Sequence, residues 1–301
     1  MLYKSELEVS GATSMPSVSI IIPTFNSMTG TKNIEETLKS ITSQTYPNVE
    51  ILIVDNFSKD ATHEICRRYP VRFFQLKGNR SQARNYGIDK MSGDYALFVD
   101  SDFVLEPDVV EECVSQSMHF KADCVVIPVK FVSKSMSRID CSQMRNIELG
   151  ADLGLQSTIL FYTRELIRSI QFPESVEIGE DMIFSSIALE RKPNVSRTSS
   201  MIYHVEDGTT RNLILRSWNY GKKFRSTISG VGARGSTRLI LDLSALNVRK
   251  LRKIVSAVSD RPGTGFCFLL YVLLKHSSFA VSYCFSLLTP SRQICNIEHA
   301  C

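Results

Sequence analysis

Short apolar runs alternate with stretches of helical periodicity through the first hundred residues. The runs are partly β-branched or aromatic and end at polar or turn residues, which predicts four buried strands: Val18–Ile22, Val49–Val54, Val71–Leu76 and Tyr95–Val99. The stretches between them predict three helices: Asn33–Gln44, one that follows Ser58–Asp60 and ends at Tyr69, and one that begins at Gly78–Ser81 and ends near Met91. Strands that alternate with such helices form βαβ units, so the sequence predicts an α/β fold with a mostly parallel, three-layered sheet.

The pattern becomes less regular after residue 102. Further helices are predicted over Glu106–Met118, Arg138–Leu149, Met182–Leu189 and Thr209–Ser229, and further strands over Cys124–Val132, Ser157–Tyr162 and Met201–Val205. The helix at Thr209–Ser229 is amphipathic, with apolar and aromatic residues among basic ones.

The C-terminal part carries a long apolar segment, Phe266–Leu288, which is interrupted by Lys275-His276-Ser277-Ser278. A continuous helix of this length would reach across a bilayer at about 1.5 Å per residue. It would also place a lysine near the bilayer centre, which is costly. The pattern therefore favours two short apolar segments in the membrane interface, or a re-entrant hairpin. The alternative is a helical pair that packs on the protein body or in a dimer interface.

Charge is unevenly distributed along the 301 residues. The formal net charge is +4, yet Arg211–Arg261 alone carries +10 and the remainder of the chain −6. A basic stretch beside an apolar one predicts a membrane surface as partner. Nucleic acid is disfavoured because, apart from Trp218, Tyr220 and Phe224, the basic stretch lacks interleaved aromatic residues for base stacking, and because an apolar segment follows it. The predicted organisation is a leader (1–15), an α/β domain (16–225) and a basic, apolar helical region (226–301).

The cysteine pattern and the N-terminus indicate a location. Eight cysteines are scattered without a Cys-x-x-Cys pair, which argues against a zinc site or a disulfide framework and favours a reducing compartment. The N-terminus has charged residues and no long apolar run, so no secretory signal is expected. We therefore expect a peripheral or monotopic protein on the cytoplasmic face of a membrane. The sequence does not predict the oligomeric state.

Polar residues follow three of the predicted strands: Pro23-Thr24-Phe25-Asn26, Asp55-Asn56 and Asp100-Ser101-Asp102. In an open α/β sheet the carboxyl ends of parallel strands share one edge, where ligands bind. Two carboxylates one residue apart at the end of a buried strand require neutralisation, and hard oxygen ligands suit Mg²⁺ or Mn²⁺. The alternative is a polar turn in which Asp102 caps the following helix.

Two arginines on the predicted third helix, Arg80 and Arg84, are about one turn apart. They could present two cations to phosphate or sugar oxygens, or they could be two solvated arginines on an exposed face. Neither a Gly-x-Gly-x-x-Gly turn nor a Walker loop is present, so dinucleotide and P-loop sites are disfavoured.

Several motifs, taken in order, resemble the family 2 inverting glycosyltransferases of GT-A fold. The resemblance covers about Val18 to Gly221 and rests on Ser19-Ile-Ile-Ile-Pro-Thr-Phe-Asn26, Gln44-Thr-Tyr-Pro47, Val49-Glu-Ile-Leu-Ile-Val-Asp-Asn56, Ala83-Arg-Asn-Tyr-Gly87, Gly93-Asp-Tyr-Ala-Leu-Phe-Val-Asp-Ser-Asp102 and Gly179-Glu-Asp181. It implies transfer of one sugar from a UDP- or GDP-linked donor, with Mg²⁺ or Mn²⁺ as cofactor. The acceptor would be a lipid-linked saccharide, a polyprenyl phosphate or another glycan. The basic, apolar tail favours a lipid-linked acceptor.

The resemblance also implies roles for individual residues. In the nucleotide site, the backbone of Pro23 and Thr24 would line the pocket, Asp55 would recognise the base and Arg84 would lie beside the sugar diphosphate. Asp100 would contact both ribose and metal, and Asp102 would ligate the metal. Asp181 would be the catalytic base, and Glu180 would support it or bind the acceptor. His204 resembles a late histidine that in some members helps to hold the metal or the diphosphate. Asn26 and Asn56, beside these residues, are expected to complete the nucleotide site.

Two departures from the family pattern affect these expectations. Phe57 occupies a position where the family often has glycine. The substitution bears on the conformation of the turn beside the base, and the identity of the nucleotide is therefore left open. The Gln-x-x-Arg-Trp signature of processive members is absent, which favours transfer of a single sugar. Two alternatives stay open: a nucleotidyltransferase of similar fold, and a non-catalytic membrane-bound module that binds nucleotide-sugars.

Overall fold

A computed structural model describes residues 15–30, 32–134, 141–142, 144–145, 159–176, 178–223 and 262–288. The chain divides into two compact units. The first contains Met1–Val132, Asp152–Glu174 and Glu180–Glu206, and the second contains Ser133–Ala151, Ser175–Gly179 and Asp207–Cys301. Most of the predicted leader, much of the helix predicted at Arg138–Leu149 and the predicted boundary at residue 225 lie outside the described residues.

A seven-stranded sheet forms the centre of the first unit. Its strands in chain order are β1 (Val18–Thr24), β2 (Val49–Asp55), β3 (Val71–Gln75), β4 (Tyr95–Phe98), β6 (Cys124–Val126), β8 (Ile159–Thr163) and β9 (Val195–Arg197). Their order across the sheet is β3-β2-β1-β4-β8-β6-β9. The first four strands are parallel, and β8 is antiparallel to both of its neighbours. The mostly parallel sheet predicted from the sequence is therefore confirmed.

Helices cover both faces of this sheet. They are α1 (Ile34–Thr42), α2 (Thr62–Cys66), α3 (Arg80–Lys90), α4 (Val109–Phe120), α5 (Arg164–Arg168) and α6 (Glu180–Glu190). Alternate residues of β1 supply two separate apolar clusters: Ile20 packs with α1 and α4, whereas Ile21 packs with α3 and α6. The three-layered arrangement therefore follows from a β1 strand that is buried along its whole length.

The chain also forms a second sheet of three strands. It contains β5 (Phe103–Leu105), β7 (Val129–Ser133) and β10 (Ile202–Glu206), in the order β5-β10-β7. The predicted single strand Cys124–Val132 was wrong, because the chain leaves the large sheet after β6 and enters the small sheet as β7. Pro128 lies at the break, where it lacks an N–H and its carbonyl accepts a hydrogen bond from the Ile202 N–H at 2.8 Å.

The longer described helices of the second unit are α7 at 210–223 and α8 (Pro262–Leu288). The expected break at Lys275–Ser278 was wrong, because α8 runs through it as one helix of 27 residues. The Ser277 hydroxyl donates to the Leu273 carbonyl at 2.6 Å, and the Lys275 ammonium lies 5.8 Å from the Tyr271 ring centroid. The polar residues are thus accommodated within a continuous helix.

One face of α8 packs inside the second unit. Tyr271 is buried in an apolar cluster with Leu213 of α7, Cys141 and Met144. The Ser282 hydroxyl donates to the Trp218 carbonyl at 2.6 Å. These contacts lie within the second unit, and they are made by one helix, not by the helical pair of the alternative prediction. Within the described part of the chain, no helix has both the length and the hydropathy that a bilayer-crossing segment needs.

Candidate active site

The carboxyl ends of β1 and β2 are joined around a buried carboxylate. Thr24 and Asp55 are opposite each other in the parallel register, and the Thr24 hydroxyl donates to Asp55 Oδ1 at 2.9 Å. The Ser58 N–H donates to Asp55 Oδ2 at 2.9 Å, and the Ser58 hydroxyl donates to Oδ1. Asp55 is fully buried, and Pro23 is buried in the strand beside it. The carboxylate therefore fixes the turn that follows β2.

The loops after β1 and β2 are also bonded directly to each other. The Asn26 N–H donates to the Ser58 hydroxyl at 2.8 Å, and the Lys59 N–H donates to Asn26 Oδ1 at 2.9 Å. The Asn56 N–H donates to the Thr24 carbonyl at 2.9 Å, and its side-chain oxygen accepts from the Gly78 N–H at 3.3 Å. Asn26 and Asn56 thus hold neighbouring loops together by hydrogen bonds, and both residues are partly accessible to solvent.

Phe57 adopts the backbone conformation that a glycine would have at this position. Its φ is +53°, so it adopts the left-handed conformation that glycine would adopt at this turn. The turn is therefore retained, at the expense of backbone strain in a bulky residue.

Asp100 and Asp102 lie just beyond β4. The Ser101 hydroxyl between them is hydrogen bonded to the Ser27 hydroxyl at 2.8 Å. Asp102 Oδ2 lies 3.4 Å from His204 Nε2, and the Asp102 carbonyl accepts the Val205 N–H at 3.0 Å. The antiparallel pairing of β5 with β10 brings His204 to this position. Both Asp102 and His204 are partly exposed, at 19% and 20% of the side chain.

His204 is held by aromatic neighbours. Its ring lies 4.9 Å from the Phe103 ring and 5.0 Å from the Phe131 ring, measured between centroids. The structure therefore brings together Asp102 and His204, two of the three predicted metal ligands. The third, Asp100, is bound to an arginine. No group of three or more His, Cys, Asp or Glu residues forms a metal-binding cluster among the residues that the structure describes.

Arg84 forms a buried bridge between two acids that are distant in sequence. Its Nη2 donates to Asp100 Oδ1 at 2.9 Å, and its Nη1 donates to Glu180 Oε1 at 3.0 Å. Only 7% of the Arg84 side chain is exposed. The guanidinium lies 5.2 Å from the centroid of the Phe172 ring, which stacks on Phe184 of α6. The guanidinium therefore acts as an internal link between β4 and α6, rather than as a solvated cation.

Arg80 and the acid pair complete this network. Arg80 Nε lies 3.1 Å from the same Glu180 Oε1, while 52% of the Arg80 side chain stays exposed. Glu180 is buried beneath the two arginines, whereas Asp181 is exposed at the first turn of α6. The two acids of the pair therefore have different environments, and only Asp181 faces solvent.

The network keeps Asp100 ionised. Burial by itself opposes ionisation, but the neighbouring cations Arg84 and Arg80 outweigh it and hold the pKa of Asp100 below its usual value. Burial likewise opposes the charge on Arg84, yet Asp100 and Glu180 raise the pKa of the guanidinium above its usual value. An ionised Asp100 at neutral pH is therefore a built-in property of this site.

Sequence reasoning missed the partners of these residues. Arg84 and Glu180 are 96 positions apart, so no local spacing indicates that they meet. Phe172 belongs to no motif, and its contact with Arg84 becomes evident only in three dimensions.

Comparison with known proteins identifies similar sequences. The family model described as Glycosyl transferase family 2 matches residues 19–190, more than half of the chain. Glycosyltransferase GlyA of Streptococcus pneumoniae is 36% identical over 116 residues, which cover 36% of this chain and 16% of GlyA. The poly(ribitol-phosphate) beta-N-acetylglucosaminyltransferase TarS of Staphylococcus aureus is 27% identical over 205 residues, which cover 63% of this chain and 35% of TarS. The chain thus spans well under half the length of either relative.

Solved structures share the fold. The crystal structure of S. aureus TarS 1–349 in complex with UDP superimposes with a TM-score of 0.54 at 18% identity, over 92% of this chain and 93% of that one. The mannosyltransferase PcManGT from Pyrobaculum calidifontis, in complex with GDP-Man and Mn²⁺, gives a TM-score of 0.56 at 17% identity, over 89% and 88% of the two chains. At these identities the likeness establishes a common fold.

Proposed function

The chain belongs to glycosyl transferase family 2, and from its site geometry we propose that it is an inverting glycosyltransferase that moves one sugar from a UDP- or GDP-linked donor to a hydroxyl or phosphate acceptor. One observation supports this most strongly. Arg84 joins Asp100, at the end of a central strand, to Glu180 of the Glu180-Asp181 pair. Asp100, proposed to contact the donor, and the exposed Asp181, proposed to face the acceptor, are thereby linked through Arg84 and Glu180.

Divalent metal binding fits the residues that are present. Asp100 is paired with Arg84, which leaves Asp102 and His204 as the ligands. They offer a hard carboxylate oxygen and an imidazole nitrogen, both partly accessible, and diphosphate oxygens of the donor would add to them. We infer that these residues hold Mg²⁺ or Mn²⁺. When bound, the ion would neutralise charge that develops on the leaving diphosphate.

Asp181 is the better candidate for the catalytic base. It is exposed at the N-terminus of α6, where the helix dipole favours the ionised form, whereas Glu180 is buried and bound to two arginines. In an in-line displacement the acceptor oxygen bonds to the anomeric carbon as the bond from that carbon to the diphosphate breaks. The acceptor proton passes to the Asp181 carboxylate, which contributes about 10²–10⁴-fold to the rate. Glu180 would act by holding α6 in place.

A membrane-associated acceptor is the second part of the proposal. Arg211–Arg261 carries +10, and Leu269, Leu273 and Val281 of α8 are exposed apolar residues. A basic stretch followed by such a helix favours peripheral binding to anionic lipid, on the cytoplasmic face of a membrane. A lipid-linked saccharide or polyprenyl phosphate is an acceptor found at that surface. Binding of the full chain to vesicles of anionic and of neutral lipid, at low and high salt, tests this part.

The catalytic part is tested by sugar release or transfer from a set of UDP- and GDP-sugars, with and without Mn²⁺. We expect activity with at least one donor, loss of at least 100-fold in Asp102→Asn and in Asp181→Asn, and no change in Asp89→Asn, which replaces an exposed acid on α3. Full activity in both site variants would overturn the residue assignment. Donor binding by the wild type without any turnover would instead indicate a nucleotide-sugar-binding module.

A further inference from the structure

Phe57 combines backbone strain with an exposed aromatic side chain. Its φ of +53° lies in the left-handed region that bulky side chains rarely adopt, and 51% of the residue is exposed. A half-exposed ring gains little from packing to offset that strain. Neither the local conformation nor the hydrophobic core therefore accounts for a phenylalanine at this position. Strained residues of this kind are concentrated at functional sites.

The turn that carries Phe57 is held firmly. Ser58 donates its N–H to Asp55 and its hydroxyl accepts the Asn26 N–H. Asn56, on the other side of the phenylalanine, donates its N–H to the Thr24 carbonyl, so both neighbours are bonded to other parts of the site. The hydrogen bonds keep the turn in the conformation that glycine would adopt freely. The ring is consequently presented from a preorganised backbone, which lowers the entropy lost when a ligand packs against it.

A second exposed aromatic residue lies on the neighbouring loop. Phe25 is 52% exposed and directly precedes Asn26, whose φ is also positive at +46°. The two loops follow strands that are paired in register, Thr24 opposite Asp55, and they are hydrogen bonded to each other. Two exposed rings are thus carried by cross-linked loops at the edge where the donor nucleotide is proposed to bind.

We propose that Phe57 is a donor-binding residue whose ring packs against the base of the nucleotide, an inference that rests on the proposed function. A flat aromatic ring binds a base through stacking, which depends on contact area and tolerates different bases. The strain at Phe57 is then maintained because it places the ring over the ligand. Loss of the ring should weaken purine nucleotides more than pyrimidine nucleotides, because a purine offers a larger face.

Three substitutions separate the ring from the strain. Phe57→Gly removes both, Phe57→Ala removes the ring and keeps a strained side chain, and Phe57→Tyr keeps both. Binding of UDP and GDP to the full chain is measured by calorimetry with Mn²⁺ present, and unfolding is followed in parallel. We expect Gly and Ala to weaken binding by about tenfold or more, Tyr to bind as the wild type does, and Gly to unfold at a higher temperature than Ala.

The outcomes are distinguishable. Steady-state kinetics should show a raised KM for the donor with kcat unchanged in Phe57→Ala, since the ring would contact donor and transition state equally. Phe120→Ala, which removes another exposed ring at the end of α4, is the control and should bind as the wild type does. If Phe57→Gly and Phe57→Ala both bind nucleotide with wild-type affinity, the inference is overturned while the proposed function stands. A loss of affinity in Phe57→Gly alone would overturn it as well. A wild-type chain that binds neither nucleotide would overturn both.

Discussion

Replacement of Arg84 by methionine is the most direct probe of the buried network. Methionine fills a similar volume and removes the charge, so the change leaves Asp100 and Glu180 without their shared partner. Removal of one partner from a buried ion pair costs about 3–5 kcal/mol, because the remaining charge stays buried. Arg84→Met should therefore lower the free energy of unfolding substantially.

Three features of the site reduce that figure. Glu180 retains Arg80 at 3.1 Å, and Asp100 is 30% exposed, so neither carboxylate becomes wholly isolated. Arg84 Nε is buried and has no hydrogen-bond partner among the described residues, so methionine also removes a donor whose burial costs about 1 kcal/mol. The expected net loss is about 2–4 kcal/mol.

Urea denaturation of the full chain measures the change, with Arg68→Met as control. Arg68 is also paired with an acid, Glu64, but both side chains are more than half exposed, so the control should change stability by less than about 0.5 kcal/mol. Adding Glu180→Gln to Arg84→Met removes one of the uncompensated charges. The double variant should be about 1–3 kcal/mol more stable than the sum of the single changes indicates. A loss below 1 kcal/mol in Arg84→Met, or strict additivity in the double variant, would refute the reasoning.

Two further predictions concern regions away from this network. Burial opposes ionisation of Glu50, but hydrogen bonds from Ser19, Ser92 and Arg72 outweigh it and lower its pKa to about 2. The resulting stabilisation, about 1–2 kcal/mol after screening by solvent, is present above pH 4.5 and is lost progressively as the pH falls through about 2. Glu50→Gln should therefore destabilise the chain more at pH 7 than at pH 3, as measured by unfolding across pH. A Cβ at Gly221 of α7 would lie 2.4 Å from the Phe279 carbonyl oxygen of α8. Gly221→Ala should therefore lower the free energy of unfolding by about 1–3 kcal/mol, despite the better helix propensity of alanine. Equal or greater stability of the variant in urea denaturation would contradict this close packing.

The first half of the fold could be predicted from the sequence because its strands are buried along most of their length. The runs at β1, β2 and β4 are mostly apolar, with only Ser19 and Glu50 near the starts of β1 and β2, so these strands can be recognised without knowledge of their tertiary contacts. In contrast, β5 and β9 have three residues each. A strand of that length shows no recognisable period and becomes regular only through its partners.

The site was predictable in its residues and unpredictable in their pairing. The acids at the strand ends were identified because carboxylates at the end of a buried strand need compensation. The compensating cation could not be identified in the same way, because an arginine within a predicted helix is usually exposed to solvent, and nothing in the local sequence around Arg84 indicates that it is buried. Arg84 is buried through its contacts with Phe172 and Glu180, which lie far from it in the sequence. The error at α8 has a similar origin, since the polar Lys275 and Ser277 are accommodated by contacts within the helix itself.

The order of strands has a consequence for how the protein is made. β1, β2 and β3 pair with near neighbours in the chain, so the part of the site around Asp55 can form while later residues are still being synthesised. Asp102 meets His204 only when β5 pairs with β10, about a hundred residues later, and Arg84 waits as long for Glu180. On a ribosome, a nascent chain that ends before residue 206 would therefore hold the Asp55 turn without the contact between Asp102 and His204. We expect the site to become competent late, as one of the last events in folding of the first unit.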